Sequence, residues 1–318
     1  MTATKPKVAF YWCAGCGGCD ETVVDLDEQI FDVVAAVDLV FWPVALDFKR
    51  KDVERLPDGA IAAAFVNGAI RTTEHVEMAH LLRRKAQVVV AFGACAQWGG
   101  VPGLANLSSR DAIFRTVYHE SPSTVNTEGV EPTADGGDSG LPAFTDALRP
   151  LDQVVEVDYY VPGCPPTPAL LAGAVTALLG GTLPPRGAVL APDRALCDTC
   201  PRRDSKPEDL ALQAFTRPHL MVADPATCLV AQGLLCMGAV TRGGCEARCL
   251  AANMPCSGCF GPTSRVLDAG AKALSSMASL LDARDDRAAE LAVATIPDPV
   301  GSFYRYTLPG SLLKGRRT

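Results

Sequence analysis

The chain has 318 residues, enough for two domains with separate cores, and its 48% hydrophobic and 20% charged composition is that of an ordinary globular protein. A net charge of -7, with no lysine or arginine block beyond a few residues, excludes a nucleic-acid surface. No run approaches the ~18 apolar residues of a membrane span, and Met1 to Trp12 holds neither a long apolar core nor the paired arginines of a twin-arginine export signal, so a cytoplasmic protein without direct membrane insertion is expected.

Lys7 to Trp12 is a β-branched and aromatic run that stops at the glycine-rich Cys13-Ala-Gly-Cys16-Gly-Gly-Cys19. Asp20 to Val34 follows with apolar residues near helical spacing and acids in its first turn, which predicts one helix. The alternation continues: strands at Val37–Trp42, Ile61–Val66 and Gln87–Phe92, a helix at Thr73–Lys85, then Gly93-Ala-Cys95. Ser121 to Pro142 has no apolar period and reads as a solvated loop. Val154 to Val161 is a further strand, running into Pro162-Gly-Cys164-Pro-Pro, and the run from Ala169 is a helix closed by Gly180 and Gly181. Strands alternating with helices imply an α/β fold with a doubly wound parallel sheet.

In such a sheet the loops after the strands emerge on one edge, so Cys16, Cys19, Cys95 and Cys164 can converge from three distant segments. Cys13 forms a second C-x2-C with Cys16, and spacing alone leaves 13/16 and 16/19 both open. Pro184 and Pro185 mark a linker, which divides the chain into 1–185 and 186–318. Beyond it, eight cysteines (Cys197, Cys200, Cys228, Cys236, Cys245, Cys249, Cys256 and Cys259) fall within 63 residues. So few apolar residues accompany them that little core is expected, and ligation would hold the segment together. Zinc is the alternative for any C-x2-C, but zinc pairs stand ~12–20 residues apart, whereas Cys200 and Cys256 enclose four more cysteines, and His219 is the one histidine there. Four thiols in the first half and eight in the second fit three four-iron clusters, with Cys13 left over. The segment from Ala283 is expected to be helix plus a partner-contacting tail.

The motifs Cys16-Gly-Gly-Cys19-Asp-Glu21, Gly93-Ala-Cys95 with Gly99-Gly100-Val-Pro-Gly103, Pro162-Gly-Cys164-Pro-Pro, Thr241-Arg-Gly-Gly-Cys245 and Asn253-Met-Pro-Cys256-Ser-Gly-Cys259, in this order, resemble the small subunit of a NiFe hydrogenase of the cytoplasmic methyl-viologen-reducing type. The resemblance implies a flavodoxin-like domain followed by a small irregular and helical iron-sulfur domain. It also implies three 4Fe-4S clusters: proximal on Cys16, Cys19, Cys95 and Cys164; medial on Cys245, Cys249, Cys256 and Cys259; distal on Cys197, Cys200, Cys228 and Cys236. Many members have histidine at the position of Cys197 and proline at that of Cys249. Thiolate at both points to a low-potential relay with a four-iron medial cluster.

A relay of this kind implies a NiFe-containing large subunit as partner and a redox acceptor or donor protein at the far end; it is part of an oxidoreductase and not catalytic alone. The alternative is a hydrogenase-like adapter in another low-potential reductase without a NiFe site. The quinone-reductase subunit of respiratory complex I fits less well, having adjacent Cys-Cys ligands and no second half. Glu21 reads most simply as a first-turn helix acid, while Arg242 is open between donating to a cluster and pairing on the surface.

Overall fold

The computed structural model describes residues 5–134 and 140–314. Strands β1 (Lys7–Trp12), β2 (Asp38–Phe41), β3 (Ile61–Asn67), β5 (Ala86–Phe92), β7 (Tyr159–Val161) and β8 (Ala188–Val189) form one parallel sheet in the order β2-β1-β3-β5-β7-β8. The short β4 (Ile70–Thr72) and β6 (Phe144–Arg149) pair antiparallel beside it. Without β8 the order is that of the flavodoxin-like fold.

Alternation along the strands sorts the core onto two faces. Ala9, Tyr11, Ala64, Val66, Val89 and Ala91 point to one face, covered by α3 (Arg50–Arg55) and α4 (Thr73–Lys85) through Val53, Met78 and Leu82. Val8, Phe10, Ala63, Phe65, Val90 and Phe92 point to the other, covered by α1 (Gly18–Val24) and α7 (Pro168–Leu179) through Val23, Leu171 and Val175. Helix α4 has the bounds its sequence predicts, with Thr72 Oγ1 accepting the His75 N–H at 3.3 Å and three basic residues in its last turn.

Two predicted elements differ. The single helix from Asp20 to Val34 is broken into α1 and α2 (Gln29–Ala36), because the acid-rich link between them turns through Asp27 at φ 52°, and that turn buries Leu26. The strand expected from Val154 shrinks to β7, since a 3-10 turn at Leu151–Gln153 sends Val155 and Val157 into the α4-side core instead of along the sheet. The sheet also runs past the expected boundary at 185: Gly187 N–H donates to Asp158 O at 2.7 Å and Leu190 N–H to Tyr160 O at 2.8 Å, satisfying the free edge of β7.

Residues beyond β8 are mostly turns, with α8 (Arg248–Ala251), α9 (Ala269–Ala278), α10 (Asp286–Ala294) and α11 (Pro299–Phe303); Asp268, Asp285 and Asp298 cap the last three. Contrary to expectation this half does build a core, in which Leu196, Leu229, Leu234, Met237 and Leu250 pack with Met277, Phe303 and Leu308. Helices beyond the cysteines supply the missing apolar residues. The segment read as a partner-contacting tail therefore folds back on its own chain. Gly100 N–H donates to Tyr306 O at 3.1 Å, and a side chain at Gly103 would meet Pro309 at 2.5 Å. The loop from Ser121 to Pro142 follows α6 (Arg110–Arg115) and one further helical turn; its residues 135–139 lie outside the described residues, and Ser121 to Ala134 form no strand.

One buried carboxylate ties the far edge of the sheet. Asp158, with a side chain 0% exposed, takes Arg83 at 2.6 Å, Arg186 on its other oxygen, and the Val89 N–H at 2.7 Å. Replacing Asp158→Ala strips acceptors from all three donors. The expected cost is about 3 kcal/mol, the lower end for a broken buried pair because both guanidinium groups reach solvent; urea denaturation monitored by circular dichroism measures it.

Candidate metal centres

The three strand-end loops of the parallel sheet meet at one edge and are bonded to each other. Gly93 N–H donates to Val161 O at 2.8 Å and Ala94 N–H to Gly163 O at 2.6 Å, joining the loops of Cys95 and Cys164. Thr22 Oγ1 donates to Pro166 O at 3.0 Å, joining α1, which carries Cys19, to the Cys164 loop. Gly17 starts α1 at φ 86°, and Gly93 and Gly100 stand so close that a side chain on either would overlap the sulfur of Cys19 or Cys95. The fold thus places Cys16, Cys19, Cys95 (on α5, Ala94–Trp98) and Cys164 together.

Their electrostatics record that proximity. Burial pushes the Cys19 thiol up, and Cys95, Cys164 and Cys16 push it further by repulsion. Burial and then Cys164 and Cys16 raise Cys95 to about 12, against a hydrogen bond from the Val101 amide. Cys13 stands apart. It is buried with Tyr11, Ile70 and Met78 in the α4-side core, its N–H donates to Asn67 O at 2.8 Å, and burial followed by Glu74 raises its thiol.

The second half forms two further sets. Burial raises Cys197 to about 12, helped by Cys236, Cys200 and Cys228 and opposed by Lys206. Burial likewise raises Cys259 to about 12, with Cys164, Cys245 and Cys249 adding and the Cys164 amide opposing. For Cys256, burial is followed by Cys236 and, more weakly, Cys259. The set of Cys245, Cys249, Cys256 and Cys259 therefore touches both others: Cys164 N–H reaches Cys259 Sγ on one side, and Cys256 N–H donates to Cys236 Sγ at 3.3 Å on the other. The sets are thus linked in series, that of Cys245, Cys249, Cys256 and Cys259 making contact with each of the others.

A multivalent cation among buried, mutually repelling thiols would favour their ionised form, and an all-sulfur donor set suits iron-sulfur clusters. Among the described residues no three His, Cys, Asp or Glu side chains converge tightly enough to hold a single metal ion. A four-iron cluster takes one thiolate per iron and holds its ligands wider apart.

The polar residues around the sets were harder to anticipate. Glu21 is exposed in the first turn of α1, the simpler of its two readings. Its neighbour Asp20 carries the structural role: 6% exposed, it accepts Trp42 Nε1–H at 2.8 Å and Asn67 Nδ2–H at 2.9 Å, fixing the Cys16-x-x-Cys19 turn to the ends of β2 and β3. Arg242 pairs with Asp193 at 2.8 Å and donates to the carbonyls of Pro262, Ala191 and Pro192, so it fastens the linker to the cysteine-rich half. Trp98 closes the seam, with Gly261 against its indole nitrogen and Gly310 against its six-membered ring.

The protein family described as NADH ubiquinone oxidoreductase, 20 Kd subunit, matches residues 16–178. The chain is 38% identical over 315 residues to the iron-sulfur subunit of the F420-non-reducing hydrogenase of Archaeoglobus profundus, spanning 96% of this chain and 97% of that one. Against the corresponding F420-non-reducing hydrogenase subunit of Methanothermobacter marburgensis the identity is again 38%, over 98% and 97%. Among solved structures it resembles a chain of an NAD+-reducing NiFe hydrogenase in the H2-reduced state, with a TM-score of 0.50 and 29% identity over 57% of this chain and 94% of that one. A chain of the NiFeSe hydrogenase of Desulfovibrio vulgaris Hildenborough shares the fold, with a TM-score of 0.51 at 20% identity over 82% and 95%.

The close approach of Gly93 and Gly100 to the thiols of Cys19 and Cys95 gives a direct test. Gly93→Ala and Gly100→Ala each displace one sulfur of the first set and leave the other two sets intact. Each variant is expected to lose about four irons per chain, measured by colorimetric iron assay on anaerobically purified protein.

Proposed function

The chain belongs to the family of the NADH ubiquinone oxidoreductase 20 Kd subunit and, over nearly its whole length, to the small subunits of NiFe hydrogenases, and from that membership we propose that it relays electrons between a large-subunit nickel-iron site and an acceptor protein through three 4Fe-4S clusters. The observation that carries the reading is the linked series of thiol sets. Cys16, Cys19, Cys95 and Cys164 would hold the proximal cluster, Cys245, Cys249, Cys256 and Cys259 the medial, and Cys197, Cys200, Cys228 and Cys236 the distal. A relay needs its centres adjacent and in series, and the ligands of neighbouring sets here contact each other through amide hydrogen bonds.

When bound, the clusters supply one-electron redox chemistry. The chain's own residues do the rest. Its cysteines fix the spacing, burial of Cys19, Cys95, Cys236, Cys256 and Cys259 keeps water from the sulfurs, and amide donors offset the charge of the thiolates. Thiolate in place of histidine at Cys197 adds negative charge to the distal cluster and lowers its potential. The hydrogenase reaction itself would take place in the large subunit, so this chain contributes transfer and not bond cleavage. The motif resemblance to the cytoplasmic methyl-viologen-reducing type supports a cytoplasmic location for the proposed assembly. Separately, no helix among the described residues is long and apolar enough to cross a membrane.

Two measurements test the reading. The complex purified natively with its partner subunits is expected to hold about twelve irons in this chain, to contain nickel, and to reduce a viologen dye under hydrogen. Iron without nickel in an intact complex would point instead to an adapter in another reductase. Cys249→Pro is expected to convert the medial cluster to a 3Fe-4S centre, visible as a new electron paramagnetic resonance signal of the oxidised protein; an unchanged spectrum refutes Cys249 as a ligand.

A further inference from the structure

Arg202 is 5% exposed, yet among the described residues its guanidinium makes no ion pair. All its acceptors are neutral: Leu250 O at 2.9 Å, Asn253 Oδ1 at 2.9 Å, Asp224 O at 3.3 Å and Thr227 O at 3.4 Å. The carboxylate of Asp224 is exposed and turned elsewhere, accepting from Ala226 N–H and from the Thr227 hydroxyl. The other buried arginine of this half, Arg242, has its carboxylate partner in Asp193. The Asp224 carboxylate acts on the guanidinium only through space, without a hydrogen bond, and for a buried charge neutral oxygens repay only part of the desolvation cost.

The position of Arg202 supplies what its neighbours do not. Its backbone N–H donates to Cys200 Sγ at 3.4 Å, and its guanidinium grips the carbonyls of Thr227 and Leu250, the residues adjoining Cys228 and Cys249. It therefore bridges the ligand loops of the distal and the medial sets, the two places in this half where negative charge gathers when thiolates bind metal.

We propose that Arg202 is the fixed counter-cation of the medial and distal clusters. It stabilises the extra negative charge each carries when reduced and so sets their potentials against that of the proximal cluster. The proposal rests on the three-cluster reading. In each transfer one cluster loses an electron as its neighbour gains it, no bond breaks and no proton is required, so net charge is the quantity a buried cation acts on. With thiolate in place of histidine at Cys197 the distal cluster carries one more negative charge than a histidine-ligated counterpart would, and the nearby guanidinium opposes the resulting fall in potential.

The test uses the native complex. Arg202→Gln removes the charge while keeping an amide donor; Arg202→Lys keeps the charge with a different donor shape. Redox titration followed by electron paramagnetic resonance gives the potential of each cluster, and an iron assay gives occupancy. In the glutamine variant the medial and distal potentials are expected to fall, each by roughly tenfold in reduction equilibrium, the order of effect of losing one nearby unit charge in partly buried surroundings. The proximal potential should stay put, and lysine should restore most of the shift. Loss of outer-cluster iron in the glutamine variant, with retention in the lysine variant, would support the same charge role. Unshifted potentials in a glutamine variant with full iron overturn the proposal, as does equal iron loss in both variants, which would make Arg202 a packing residue only. Failure of the three-cluster reading shows separately, as missing iron in the unsubstituted protein, and takes the proposal with it.

Discussion

Thiolates brought together under burial repel one another, and most of the structure around the twelve sulfurs answers that constraint. Cys95, Cys197 and Cys259 are each raised to about 12 by burial first and by neighbouring thiols second. Against this the chain sets amide donors from Val101, Cys164 and Cys256 and the ammonium of Lys206. Bare glycines at 93 and 100 let the backbone close on sulfur where a side chain would not fit. These features make little sense as supports for a neutral thiol core, which would need no donors, and they suit metal-bound sulfur carrying permanent negative charge.

The sheet and the cysteine-rich half are joined by contacts that fix distance as well as fold. Trp98, three residues after Cys95, has its indole nitrogen against Gly261, two residues after Cys259, and its other ring edge against Gly310. Arg242 anchors the linker to the loop after Cys259 through Pro262. The sheet-side thiol set and the set of Cys245, Cys249, Cys256 and Cys259 are thus held at a spacing set by a rigid aromatic ring and by a buried arginine paired with an exposed carboxylate. Electron transfer depends steeply on separation, so rigidity at this seam matters more than stability alone would require.

Much of this was legible in the residues. Short apolar strand runs ending in glycine and cysteine placed Cys16, Cys19, Cys95 and Cys164 on one edge, because a parallel sheet puts its strand ends together whatever lies between them. Spacing left Cys13 and Cys16 or Cys16 and Cys19 equally eligible; the structure parts them, since Cys13 still belongs to the last residues paired with β3 and points into the core. The core of the second half was missed because Met277, Phe303 and Leu308 are distant in sequence from the cysteines they cover. Asp20 and Arg202 carry no pattern either. A single acid or base in a loop acquires meaning only from the indole, amide or carbonyl that folding brings to it.

The return of residues 304–311 onto α5 joins distant parts of the chain. Gly100 N–H donates to Tyr306 O, and Gly103 lies against Pro309, so the loop after Cys95 completes its packing only when a segment far along the sequence has folded. Contacts of such long sequence separation carry a high loop-closure entropy, and the order of this cysteine loop is thereby tied to the folding of the second half.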